Sequence, residues 1–142
     1  MLRKDYLQRQ FEEFGRVLAT ILGFKKSGDM QSFEKEIEKA VKTFTTLELD
    51  ELLKMNLEAF EKMVKHNETL RPDQIKILAD LFYERSFVFD KQEQAGEMKD
   101  MLGRAYFLYK RYTQELTTNQ FNLEVNYRLQ MITEIIHQPN LQ

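Results

Sequence analysis

The segment LGRAYFLYKRY, from Leu102 to Tyr112, brings four aromatic rings and three positive charges into eleven residues. An aromatic ring flanked by two guanidinium groups can pack a peptide side chain, stack on a base, or hold a carboxylate or phosphate by bidentate contacts. One such combination lies on a single face of the predicted helix, because its four residues follow each other at steps of three, four and three: Arg104, Phe107, Arg111 and Gln114. We take these four residues as a candidate binding stripe. The alternative is that the arginines are solvated or pair with Asp100 and Glu115, while Phe107 packs on a neighbouring helix.

A Glu-x-x-His pair, Glu134 and His137, has the spacing that places both side chains on one helix face in di-iron bundles. Such a site needs a second pair and two further carboxylates. The only other histidine, His66, has Met63 three residues before it. His137 is better explained by its place near a helix end, where the dipole favours a positive ring. We expect no metal and no cofactor.

Catalytic motifs are absent from the sequence. There is no cysteine, no glycine-rich phosphate loop, and none of the three serines lies in a nucleophile motif. The paired carboxylates fall on faces that we expect to be solvated. We therefore predict that the chain is not an enzyme.

The composition is that of one helical domain. A chain of 142 residues can bury a substantial core, and 42% hydrophobic with 31% charged residues argues against disorder. The net charge of −2 indicates no general attraction to nucleic acid. Because the sequence shows no signal-peptide pattern and no apolar run long enough to span a bilayer, we expect a cytoplasmic protein without membrane contact.

Apolar residues recur at helical spacing along the whole chain, and no segment alternates as a strand would. The pattern predicts about six helices. The first ends near Gly28. The second follows Asp29 and has on its inner side Met30, Phe33, Ile37, Val41 and Phe44. The third restarts at Thr45 in capping-box spacing with Glu48, and the fourth begins at Pro72. After a last turn at 116–121, the sixth stops before Pro139 and has as its apolar residues Leu123, Val125, Leu129, Ile132 and Ile136. The fifth has the widest apolar stripe, which indicates packing on two sides: Ala95, Met98, Leu102, Ala105, Tyr109, Tyr112 and Leu116, widened by Met101, Tyr106 and Leu108.

A weak internal similarity links the first and fifth helices at an offset of 88 residues. FGRVL, from Phe14, aligns with LGRAY, from Leu102, and the same register continues into the following helix. The shared helical period alone can produce part of this match. The paired Gly15 and Gly103 favour a true repeat, since glycine inside a helix is costly and usually marks close packing.

These motifs resemble the tetratricopeptide repeat family. LGRAY is similar to the first-helix signature of such repeats, and GDMQSFEKEIEKAV, at 28–41, is similar to the turn and second helix. The opening KDYLQRQ also resembles that of small uncharacterised bacterial helical proteins. The resemblance implies an all-α array of three tandem antiparallel hairpins with right-handed stacking, in one domain over residues 1–138 followed by a tail at 139–142.

In tetratricopeptide arrays the first helix of each hairpin lines a concave groove. By this resemblance Arg16, the counterpart of Arg104 at the 88-residue offset, would face the same groove as the binding stripe. The leading hypothesis is a non-catalytic adaptor that binds a protein or peptide of unknown identity. Two alternatives stay open. One is a nucleic-acid binder using the basic and aromatic fifth helix, which the acidic pI near 5.8 disfavours; the other is a structural homodimer.

Overall fold

The computed structural model describes residues 4–90, 92–115 and 122–137. All regular structure in these ranges is α-helical, which confirms the predicted all-α class. The helices are α1 (Lys4–Ser27), α2 (Met30–Thr45), α3 (Leu49–Lys54), α4 (Leu57–His66), α5 (Pro72–Ser86), α6 (Ala95–Glu115) and α7 (Leu123–Ile136). None of these helices is both long and apolar enough to cross a membrane. The predicted turn at 116–121, with Leu116, and the tail at 139–142 lie outside the described residues.

A tight turn joins α1 to α2 where the sequence predicts it. Gly28 has a φ of +81°, a conformation that glycine adopts without strain. The Asp29 carboxylate then caps α2 by accepting hydrogen bonds from the Ser32 backbone N–H at 3.2 Å and from its hydroxyl at 2.8 Å. This turn lets α2 pack along α1. Of the residues predicted for its inner side, Met30 is 37% exposed, at the first position of the helix, and the other four are buried: Phe33, Ile37, Val41 and Phe44.

The predicted third helix is divided into α3 and α4, and its predicted start at Thr45 is wrong. Thr45 is the last residue of α2, and its hydroxyl donates to the Val41 carbonyl at 2.6 Å. The division follows from Asn56, whose side chain accepts a hydrogen bond from the Ala59 N–H at 2.8 Å and so starts a new helix.

The centre of the fold is the pair α5 and α6. α2 also packs on α5, while α4 and α7 both pack on α6. The wide stripe predicted for α6 is thus confirmed, since its members from Met98 to Tyr112 are buried apart from the half-buried Tyr106. The arrangement in three tandem hairpins stays a prediction; in the described residues α4 packs chiefly against α6, rather than against the α5 that follows it.

The two helix-interior glycines do not mark close helix packing, so that interpretation of the sequence is wrong. Apart from its chain neighbours and the backbone of its own helix, a methyl group added at Gly15 would meet no heavy atom of the described residues within 4 Å. At Gly103 it would meet only the Leu57 side chain, at an ordinary contact distance of 3.5 Å. Neither position therefore requires glycine for steric reasons.

Candidate binding surface on α4 and α6

Arg104 is buried beneath the surface that the binding stripe was expected to form. Its side chain is 3% exposed, and its guanidinium lies 5.2 Å from the centre of the Phe60 ring. The guanidinium donates hydrogen bonds to the Leu52 carbonyl at 2.7 Å, to the Met55 carbonyl, and to the Asp100 carboxylate at 2.9 Å. Arg104 thus attaches α6 to the junction of α3 and α4, and its donors are directed into the protein.

Phe107 and Arg111 lie further along the same face of α6, where they meet the end of α4. The half-buried Phe107 packs its ring edge-on against Phe60, with the centroids 6.5 Å apart. The Lys65 ammonium lies 5.9 Å from the centre of the Phe107 ring, and the Lys65 carbonyl accepts a long hydrogen bond of 3.5 Å from Arg111. We call Lys65, Phe107 and Arg111 the basic–aromatic patch.

The two cations of the patch have unused capacity for hydrogen bonds and ion pairs. The Arg111 Nε lies 3.8 Å from the nearest Glu115 carboxylate oxygen, which is within ion-pair range but too long for a hydrogen bond. This Nε is buried and has no hydrogen-bond partner in the described part of the chain. Lys65 is exposed and makes no ion pair with any described residue. The buried Nε is out of reach of an external ligand, but the Arg111 side chain is 29% exposed, so Lys65 and the rest of the Arg111 guanidinium can bind an incoming anion without giving up a short bond.

The remaining predicted binding residues lie at and beyond the edge of the patch. Gln114 is exposed and lies one turn after Arg111 on the same face of α6. Arg16 is exposed on α1, a helix that packs against α2 and α5. No described contact joins Arg16 to the patch, so its place in a shared groove stays a prediction.

A buried polar network centred on Asp80 was not found by sequence reasoning. The Asp80 carboxylate, 3% exposed, accepts hydrogen bonds from Lys76 at 2.9 Å, from the Tyr109 hydroxyl at 2.5 Å, and from Arg128. Glu124 lies 3.4 Å from both cations. The two positive and two negative charges balance, and the bonds join α5, α6 and α7.

The environment of this network shifts the pKa of its members. Burial, followed by the charge of Asp80, raises the pKa of Tyr109 well above its ordinary value. Burial acts to lower the pKa of Lys76, but the Asp80 charge and hydrogen bond and the Glu124 charge outweigh it, so the net shift is upward. The network is thus held in one state at neutral pH, with the tyrosine neutral and the lysine charged, as suits a connection between helices. An aspartate at an apolar position of α5, between Ala79 and Leu81, was the one sequence signal for it.

α7 exposes two large apolar side chains. Leu123 belongs to the apolar spacing predicted for this helix, and Tyr127 lies outside that spacing. Leu123 is 74% exposed and Tyr127 is 60% exposed, one turn apart on the same face. Both line a shallow depression together with Asn126 and Gln130. We call Leu123 and Tyr127 the α7 apolar face.

The Glu134 and His137 pair lies at the end of α7, with both residues exposed. The Glu134 carboxylate accepts a hydrogen bond from Gln130 at 3.4 Å. Within residues 4–90, 92–115 and 122–137, no group of three or more histidine or carboxylate side chains is arranged to hold a metal ion.

No protein-family model matches the chain, and no curated protein and no solved structure matches it significantly. The resemblance to tetratricopeptide repeats therefore depends on the motifs quoted above.

Proposed function

We propose that this chain is a non-catalytic helical module that binds a protein or peptide, and that the partner contacts the basic–aromatic patch and Gln114. One observation carries the proposal: the exposed Lys65 ammonium lies over the Phe107 ring, and one turn further along α6 the partly exposed Arg111 makes only long contacts, to the Lys65 carbonyl and to Glu115. Aromatic and arginine side chains are enriched at the energetic centres of protein interfaces. The resemblance to tetratricopeptide repeats supports the same class of function.

Binding through phosphate groups is the alternative use of the same patch. Affinity for nucleic acid depends mainly on the number of phosphate contacts. The patch holds two cations, and the net charge of the whole chain is −2. A protein surface is therefore the better partner for this patch.

The proposal is tested by selecting peptides from a random displayed library with the wild-type protein and measuring their affinity for two variants. Phe107→Ala should weaken the selected peptides at least about tenfold, as truncation of an interface aromatic commonly does. Arg9→Ala removes an exposed arginine on α1 that is not among the predicted binding residues, and it should leave the affinity unchanged. The proposal fails if no peptide is selected, or if Phe107→Ala binds as well as wild type while its melting temperature shows that it is folded.

Self-association is a second candidate, favoured by the α7 apolar face. Two exposed apolar side chains at i and i+4 on one helix form a small surface that a second copy could cover. Sedimentation equilibrium should then show a dimer that Tyr127→Lys dissociates and that Gln31→Lys, an exposed change on α2, leaves intact. A wild-type monomer at all accessible concentrations would exclude this candidate.

A further inference from the structure

We propose that the basic–aromatic patch is selective for acidic peptides, with a peptide carboxylate bound between Arg111 and Lys65 and an adjacent apolar side chain packed on Phe107. This inference rests on the proposed function and adds the chemical class of the ligand. The inference follows from the donors of Arg111 and Lys65 that are available to a ligand, and from the Glu115 carboxylate that already lies beside Arg111.

Arg111 presents donors that are positioned but not saturated. Its one side-chain hydrogen bond in the described structure is the 3.5 Å contact to the Lys65 carbonyl at the end of α4. That contact and the α4 dipole hold the guanidinium in place, because a helix C-terminus attracts positive charge. A planar guanidinium can bind a carboxylate with two parallel hydrogen bonds from its two terminal nitrogens, a contact that does not involve the buried Nε and that the partly exposed Arg111 can make without leaving this position.

Glu115 supplies an internal precedent for the ligand. Its carboxylate, 34% exposed, lies 3.8 Å from the Arg111 Nε. The patch thus already attracts a carboxylate, but α6 holds both residues at i and i+4 and the pair stays longer than a hydrogen bond. A peptide carboxylate has no such restraint, and it would compete with Glu115 for the same guanidinium.

Lys65 adds a second positive charge next to the same site. Its ammonium lies over the Phe107 ring, and its own carbonyl contacts Arg111. Both positive charges therefore belong to the end of α4 and the adjoining turn of α6, and an anion bound there is attracted by both of them. The ring below provides a surface for the apolar residue that flanks the carboxylate.

The charge of the whole chain predicts how this binding should behave. A net charge of −2 provides no long-range attraction for acidic ligands, so recognition depends on contacts within the patch. The pairs are partly exposed to solvent, and salt should therefore weaken the binding.

The inference is tested by fluorescence anisotropy with three labelled peptides of one design: leucine alternating with glutamate, with glutamine, or with lysine. The glutamate peptide should bind wild type about tenfold more tightly than the glutamine peptide, the size of effect expected for a charge-assisted hydrogen bond. Arg111→Gln should remove this preference. Glu115→Gln, which removes the internal competitor, should strengthen binding of the glutamate peptide about threefold. Lys99→Gln, a lysine of α6 three turns before Arg111, is the matched control and should change nothing.

The outcomes separate the class of ligand from the existence of the surface. If the glutamate and glutamine peptides bind equally and Phe107→Ala weakens both, the patch is a binding surface and its acidic selectivity is refuted. If Arg111→Gln leaves the preference intact, or if neither peptide binds wild type, the acidic-peptide inference is also overturned. Displacement of the glutamate peptide by inorganic phosphate or by single-stranded RNA at lower concentration than by free glutamate would assign the patch to phosphate instead.

Discussion

Replacing Arg104 with methionine should destabilise the fold while leaving the basic–aromatic patch chemically intact. The substitution keeps a long side chain next to Phe60 but removes the donors to the Leu52 and Met55 carbonyls. The Leu52 hydrogen bond is buried and the Met55 one is partly buried, so water can replace only the second. The change therefore tests whether Arg104 is a structural residue.

The expected loss follows from these contacts. A hydrogen bond that involves a charged group contributes about 1.5–3 kcal/mol. The buried bond to Leu52 should contribute fully to the free energy of unfolding, and the partly buried bond to Met55 should contribute in part. Removal of the buried Arg104 charge also recovers some of the free energy that its desolvation costs. We expect the free energy of unfolding to fall by about 2–4 kcal/mol, which for a domain of this size lowers Tm by roughly 6–12 °C.

Urea denaturation followed by far-ultraviolet circular dichroism measures this loss. Arg104→Lys should lose at least half as much stability, because one ammonium cannot reproduce the planar donor geometry that serves two carbonyls. Arg16→Met is the matched control, since it removes an exposed arginine, and should stay within about 0.5 kcal/mol of wild type. A loss below about 1 kcal/mol for Arg104→Met would refute the structural role and return Arg104 to the candidate binding residues.

Three further predictions concern other parts of the fold. Gly15→Ala should raise the free energy of unfolding by about 0.5–1 kcal/mol, because the position is helical and sterically open; a loss in thermal denaturation would contradict this. Thr46→Gly should also stabilise, by up to about 1 kcal/mol, since Thr46 has a φ of +64° that glycine adopts freely; an unchanged Cm in urea would show that the strain is negligible. Burial raises the pKa of Tyr109 in the folded state. The contribution of Tyr109 to the free energy of unfolding is therefore complete below the unfolded-state pKa near 10 and is lost as the pH rises beyond it. Tyr109→Phe should therefore flatten the loss of stability above about pH 10 relative to wild type, and equal slopes in pH-dependent urea titrations would refute this.

The helices and most of the core follow from local periodicity. The apolar spacing of α2 predicted that Phe33 and Ile37 are buried, and both are fully inaccessible to solvent. The predicted starts of α2 and α5, at Asp29 and Pro72, agree with the structure because capping residues act on the adjacent turn. Interactions between near neighbours in sequence are the ones that a pattern can report.

The parts that could not be predicted depend on distant partners. Arg128 is 48 residues from Asp80, and Arg104 is 52 residues from Leu52. The spacing of polar residues does not identify such partners, because it reports which face of a helix a residue occupies and not what covers that face. The division of α3 from α4 was missed for a related reason, since Asn56 lies within a continuous apolar pattern that also suits one unbroken helix.

The two arginines of the binding stripe show how a neighbouring helix decides what one face does. Arg104 and Arg111 are seven residues apart on the same face of α6, yet one is buried and the other is partly exposed. Contacts of Phe60 with Arg104 and of Lys65 with Arg111 show that α4 follows α6 in the same direction. Because α4 ends at His66, it covers the first arginine and stops beside the second. The position at which α4 ends thus determines that Arg111 remains available to a ligand.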